Sequence, residues 1–275
     1  RTGAKYGELR ASVNLPHLAA VCKAHGVTTS TVLRLAWALV LRHFTRSEHV
    51  VFGSVVSGRD GGVDGIDEIV GVLINTIVVP AHLPLDASVA SALAAMQSFS
   101  ADAINHSDVG LVNAQRAAGM ASSSDLFDTI MVFENYPTAE ASSTTPTLLE
   151  TVRMVDFWDT CILGQAAQAD SKILVNLSYL QKVIGYDTAK SFLDMFILIL
   201  GQVCDSGVAL HNITTENILF NVLVEAKSKN AAEPLHLIVA QSTVSTTGIS
   251  LKPSGQLEKQ IARDILSQLL SCFSS

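Results

Sequence analysis

Thr29-Ser30-Thr31-Val32-Leu33-Arg34-Leu35-Ala36-Trp37-Ala38-Leu39-Val40-Leu41-Arg42-His43-Phe44 is apolar around most of a helical circumference. At 3.6 residues per turn, Thr31, Arg34, Arg42 and the following Thr45 fall on one narrow polar stripe. Leu33, Leu35, Trp37, Leu39, Val40 and Leu41 fill the rest. A helix with so little polar surface is packed on several sides, so 29–44 predicts a central helix. Thr28, just before it, is a suitable N-cap.

Downstream, Val50-Val51-Phe52-Gly53-Ser54-Val55-Val56 is a continuous β-rich run that predicts a strand buried on both faces. A Gly/Asp-rich loop covers 57–67, and 69–79 contains a second buried strand, ended by Pro80. Val89, Leu93, Met96, Phe99 and Ala103 recur every three or four residues and predict a helix over 88–104, with a short one over 110–118. Strands are predicted at 128–134, 152–157 and 173–179. The last alternates Ile173, Val175, Leu177 and Tyr179 on one face, and a Ser/Thr/Pro/Ala loop covers 138–147. Asp187 opens a final apolar helix to about 204. Upstream, 6–13 reads as a strand, and Asn14-Leu15-Pro16 opens a helix that Gly26 stops. Helices alternating with buried strands define an α/β fold class: one lobe, a mixed β-sheet packed by helices, over 1–204. The pattern loosens over 205–255, where 216–226 has helical spacing and 241–255 reads as a linker. Leu257, Ile261, Ile265 and Leu269 mark a short amphipathic helix in 256–275.

Hydrophobic residues at 48% against 16% charged exclude a disordered chain. A net charge of −7, with no basic stripe, argues against nucleic-acid binding. The apolar run 195–200 is far short of the ~20 residues a membrane helix needs. Cys22, Cys161, Cys204 and Cys272 are widely separated, which predicts free thiols in a reducing cytosol and neither a zinc site nor a disulfide framework. Without a signal-peptide pattern, the expected location is cytoplasmic. The chain opens on Arg1 rather than Met, which predicts an excerpt of a longer polypeptide.

The polar motifs are mostly negative. Counting an EF-hand loop from Asp60 puts Gly62 at the third position and Gly71 at the twelfth, so two calcium ligands are missing. No Gly-Lys-Ser/Thr follows that loop, so it is no phosphate cradle, and Phe52-Gly53-Ser54-Val55-Val56 is not a nucleophile elbow. The eight histidines are never adjacent and never form H-E-x-x-H.

Four stretches occur in an order and spacing similar to the C-terminal half of the condensation domains of nonribosomal peptide synthetases. The first is Thr31-Val32-Leu33-Arg34-Leu35-Ala36-Trp37-Ala38-Leu39-Val40-Leu41 with Val50-Val51-Phe52-Gly53-Ser54-Val55-Val56-Ser57-Gly58-Arg59. The second is Ile69-Val70-Gly71-Val72-Leu73-Ile74-Asn75-Thr76, and the third is Asn105-His106-Ser107-Asp108-Val109-Gly110-Leu111. The fourth is Leu126-Phe127-Asp128-Thr129-Ile130-Met131-Val132-Phe133-Glu134-Asn135-Tyr136-Pro137. With Tyr186-Asp187, the resemblance covers about 1–204. The chain departs from the family pattern at Pro80, at Gly110 and at Ser122-Ser123-Ser124-Asp125.

The resemblance implies one lobe of a chloramphenicol acetyltransferase-like, CoA-dependent acyltransferase fold. In that fold two lobes enclose a tunnel, and carrier domains deliver thioesters to it on phosphopantetheine arms. An acceptor amine attacks the donor thioester and an amide forms. The histidine motif His-His-x-x-x-Asp-Gly belongs to the N-terminal lobe and is absent here, so no catalytic residue, metal or directly bound cofactor is expected in this chain. The implied partners are carrier domains and the N-terminal lobe, with no nucleic acid or membrane. Ser57, Gly58 and Arg59 match the Ser-Gly-Arg loop at the tunnel floor, where Arg59 pairs with a carboxylate of the other lobe, orients substrate or serves only the scaffold. Asn75 and Thr76 sit in a strand and either face the tunnel or tie that strand to its neighbours. The segment from Phe133 to Pro137 would begin the crossover to the missing lobe, and the tail helix is faintly similar to the start of a carrier domain. The rival expectations are a non-catalytic carrier-docking lobe from a truncated synthetase, and a stand-alone relative acting on CoA thioesters, which would need its own histidine motif.

Overall fold

The computed structural model describes residues 5–59, 65–71, 73–104, 106–107, 109–120, 126–134, 160–169, 171–205 and 215. At its centre is the helix that the apolar stretch predicts, α2 (Thr29–Thr45), in which every residue over 31–42 is buried. The Thr28 hydroxyl accepts from the Thr31 amide at 3.2 Å, as an N-cap should. Gln97 adds a second, tertiary cap: its Oε1 accepts from the Thr28 amide at 3.0 Å and the Thr31 hydroxyl at 2.6 Å.

Around α2 the chain runs β1 (Tyr6–Asn14), α1 (Leu18–His25), α2, β2 (His49–Val56), β3 (Asn75–His82), α3 (Val89–Ile104), α4 (Leu111–Ala117), β4 (Thr129–Glu134), β5 (Ile162–Ala169), β6 (Lys172–Leu180) and α5 (Tyr186–Asp205). The six strands form one sheet in the order β1-β6-β5-β4-β2-β3. Pairing is parallel between β2 and β4 and between β4 and β5, and antiparallel elsewhere, so the sheet is mixed as expected.

Trp37 joins the layers. Its indole is fully buried, edge-on to Phe192 (centroids 4.8 Å apart) and Phe196 (5.6 Å) of α5. Its N–H donates to the Thr129 hydroxyl of β4 at 3.3 Å. Beneath the ring lies Gly164 of β5, where a Cβ would stand 2.4 Å from the indole. The sheet keeps its apolar side chains on the helix side: Val50 and Phe52 of β2, Ile77, Val79 and Ala81 of β3, and Ile173, Val175, Leu177 and Tyr179 of β6 are all buried.

Three expectations need correcting or completing. The 50–56 run is fully buried at Val50, Phe52 and Ser54 on one face, whereas Val51 and Val55 on the other are only partly buried. Pro80 does not end its strand, since β3 continues to His82 with Pro80 opposite Val51. β3 is an outermost strand, and an edge tolerates a residue with no N–H to donate. The third is β5 (Ile162-Leu163-Gly164-Gln165-Ala166-Ala167-Gln168-Ala169), which no sequence pattern announced. Alanine and glutamine are poor strand formers, and this segment is extended because β4 and β6 supply backbone partners on both sides. Gly164 there also leaves room for Trp37.

Beyond α5, Thr215 is fully buried against the turn before α3. Its amide donates to Ala87 O at 2.9 Å, and its hydroxyl donates to Pro84 O at 2.6 Å and Leu85 O at 3.3 Å. The predicted strand at 152–157, the loop at 138–147 and the segments at 216–226, 241–255 and 256–275 lie outside the described residues. Among the described residues no helix is long and apolar enough to cross a membrane.

Candidate functional site

β2 ends at Val56 and delivers Ser57-Gly58-Arg59 at one end of the sheet. Gly58 has φ +66°, and a Cβ there would lie 1.9 Å from Leu73 O, so both backbone conformation and space require glycine. The exposed Ser57 accepts from the Arg59 amide through its Oγ at 3.2 Å, closing the turn. The Arg59 guanidinium folds back over the next segment. Nη1 donates to Ile66 O at 2.9 Å and Ile69 O at 3.3 Å, and Nη2 donates to Ile69 O at 3.3 Å and Gly71 O at 3.5 Å. Arg59 is therefore a staple across 66–71, spending its donors on carbonyls of its own chain. Beside it Val70 is fully exposed, and Ile69 and Ile74 are about half exposed, giving the loop an apolar rim.

The register places Asn75 opposite Val56 and Thr76 opposite Val55, so all five expected site residues share one end of the β2–β3 pair. Asn75 works within the scaffold: its Nδ2 donates to Ser107 O, and its Oδ1 accepts from the Thr76 amide at 2.8 Å. Alternation along the strand puts the half-buried Thr76 on the sheet face opposite the buried Ile77, Val79 and Ala81.

Beneath β2 lies a buried cation whose place in the polar stripe was legible but whose environment was not. Arg34 of α2 is 8% exposed; its Nε donates to the Ser54 hydroxyl at 2.9 Å and its Nη1 to the Ser100 hydroxyl at 2.8 Å. Burial pushes its pKa down to about 10, with no carboxylate to oppose the effect. The folded-state value lies below the unfolded one, so the penalty is present in full at neutral pH, where both states are charged, and is relieved only as pH rises through about 10. Arg34→Met should therefore hold or raise the urea midpoint at pH 7, whereas Ser100→Ala should lower stability by about 1–3 kcal/mol by removing an acceptor from a buried charge. A loss above about 2 kcal/mol for Arg34→Met would contradict this account of its energetics.

Among the described residues no group of three or more His, Cys, Asp or Glu is placed to hold a metal ion. What the site can do is position: a loop stapled by Arg59 and a strand end stand together at one end of the β2–β3 pair.

Among the described residues the mixed six-stranded sheet packed by helices has the chloramphenicol acetyltransferase-like fold of the condensation domains it resembles. The family model described as "Condensation domain" matches residues 9–216, and the chain belongs to that family. Nonribosomal peptide synthetase 4 of Gibberella zeae is 41% identical over 117 residues, covering 42% of this chain and 2% of that protein. Among solved structures, the crystal structure of a CT mutant has a TM-score of 0.65 at 20% identity, covering 77% of this chain and 48% of that one. The condensation domain of the Monacolin K polyketide synthase MokA has a TM-score of 0.61 at 14% identity, covering 74% and 48%. The chain thus spans a small fraction of its curated relative and just under half of these two solved chains.

Proposed function

We propose that this chain is the C-terminal lobe of a condensation domain, supplying one wall of a tunnel in which two carrier-bound thioesters are joined by an amide. The observation that carries the reading is the Ser57-Gly58-Arg59 loop, stapled by Arg59 to the carbonyls of Ile66, Ile69 and Gly71 at the end of β2. A rigid wall contributes by fixing the approach of the amine to the thioester carbon, which replaces a bimolecular encounter with a positioned one. The sequence has no His-His-x-x-x-Asp-Gly, so deprotonation of the amine and stabilisation of the tetrahedral intermediate belong to the other lobe. Ser57, Gly58, Arg59, Asn75 and Thr76 build the floor. In this arrangement Thr76 faces the substrates, whereas Arg59 and Asn75 hold the backbone that does. The phosphopantetheine arms arrive on partner carrier domains, and no cofactor is held by the lobe itself.

The test is amide formation between two purified carrier proteins, one loaded with a donor aminoacyl thioester and the other with an acceptor. This chain alone should give no product. Supplying an N-terminal lobe with the histidine motif in trans should give product that requires both pieces. Product from this chain alone contradicts the reading. Carrier binding without product, even with both lobes present, converts it into a docking lobe.

A further inference from the structure

β2 opens on His49 and β3 closes on His82, and the register sets the two directly opposite each other. The Leu83 amide donates to Glu48 O at 2.8 Å, so 48 and 83 form a hydrogen-bonded pair. His49 and His82, one step along, are therefore a non-hydrogen-bonded pair, and the His49 amide turns to the Ser47 hydroxyl at 3.2 Å. Pairs of this kind bring their side chains closest together. The two imidazoles stand face to face, with centroids 4.3 Å apart and planes inclined by 4°. Alternation puts both on the sheet face opposite the buried Val50, Phe52, Val79 and Ala81. His82 is exposed and His49 half-buried, so solvent reaches the pair at the outermost strand.

We propose that His49 and His82 form a two-nitrogen site for a divalent late transition metal ion, which clips the outermost strand β3 to β2. Parallel stacked rings cannot hydrogen-bond to each other, so neither imidazole is the other's partner. Their nitrogens lie side by side on two strands instead. A tetrahedral ion with Zn–N bonds of about 2.0–2.1 Å spans about 3.3 Å between nitrogens, roughly an ångström less than the ring spacing. The exposed His82 ring, at the end of its strand, supplies that inward tilt. Imidazole suits zinc, copper and nickel, whereas magnesium and calcium take oxygen ligands, so the chemistry selects the first group. Among the described residues no further His, Cys, Asp or Glu stands with the pair as a third ligand. Glu48 is turned to Arg42, at 3.7 Å. Water therefore completes the coordination, and the ion is exchangeable. Its role is structural: it fastens the end of the strand pair farthest from the Ser57-Gly58-Arg59 loop and takes no part in amide formation. The inference stands independently of the function proposed above.

The test titrates zinc alone into the full 275-residue chain at neutral pH, where imidazoles are free to bind a metal, and follows the ring signals of His49 and His82 by NMR. Each signal is assigned from its glutamine variant. Both rings should shift together with a single midpoint, copper should bind more tightly than zinc, and magnesium should move neither signal. Zinc should also raise the urea midpoint of the chain, because it binds the folded pair and not the separated strands. His82→Gln changes an exposed side chain and keeps the fold; it should weaken zinc binding at His49 at least about tenfold and abolish the rise in midpoint. His49→Gln should do the same at His82, and the double variant should lose no more of that rise than either single one, because a chelate fails when either arm is gone. His17→Gln, at an exposed histidine before α1, is the control and should leave the rise unchanged. A shift of one ring without the other, equal zinc affinity in the original chain and in His82→Gln, or no shift of either ring up to millimolar zinc overturns the proposal. Amide formation is measured separately, so this inference can fail while the reading of function stands.

Discussion

Trp37→Ala should cost about 3–5 kcal/mol of folding free energy, a large part of the stability of an ordinary domain. The indole is fully buried where three elements meet, edge-on to two phenylalanines of α5, bonded to Thr129 of β4 and seated on Gly164 of β5. Its removal leaves a cavity that these neighbours cannot close, because β4 and β5 are fixed by backbone pairing to strands on either side. Trp37→Phe should cost less, keeping most of the aromatic contact while losing the bond to Thr129. Urea unfolding followed by circular dichroism checks both variants. A loss below about 1.5 kcal/mol for alanine would mean that the helix layer and the sheet are not joined through this residue.

The second large effect concerns function rather than folding. In Gly58→Ala the new methyl group would have to share space with Leu73 O, 1.9 Å away, at a φ of +66° that L-residues avoid. The loop must move, and Arg59 moves with it, releasing the carbonyls of Ile66, Ile69 and Gly71. Amide formation by the reconstituted lobes should then fall by about a hundredfold, as expected when a positioning element shifts by an ångström or so. Gly65→Ala is the control. It has a similar φ of +76° but nothing within 4 Å of the added carbon, so it bears the backbone strain without the collision. Equal losses in both variants would assign the effect to strain alone and remove the loop's placement from the mechanism.

The helices were legible because each carries a local signal. α2 has a cap and a nearly unbroken apolar surface, α1 stops at Gly26 with φ +63°, and α3 follows its predicted spacing. β6 was equally plain, since Ile173, Val175, Leu177 and Tyr179 alternate and all four are buried. β5 was invisible for the converse reason: its extended form is imposed by neighbours distant in sequence, and its small residues answer to Trp37 rather than to strand propensity. The candidate site divides the same way. Ser57, Gly58, Arg59, Asn75 and Thr76 were singled out from the ordered stretches that resemble the family, and the β2–β3 register brings them to one end of the strand pair. That Arg59 grips carbonyls, and that Asn75 ties its strand to Ser107, depends on where loops return in space. The facing imidazoles of His49 and His82 gave no signal at all, because two separated residues become neighbours only through pairing.

The most direct measurement is amide hydrogen exchange of this chain with and without a purified N-terminal lobe carrying the histidine motif. Added protection should concentrate in the loop region around 57–76 and in β5, β6 and β1, whose face away from the buried core would be covered, with the outward surfaces of α1 and α5 unchanged. Protection confined to the helical surface, or none anywhere under conditions in which the two lobes together form amide, would contradict the picture of this chain as one wall of a shared tunnel.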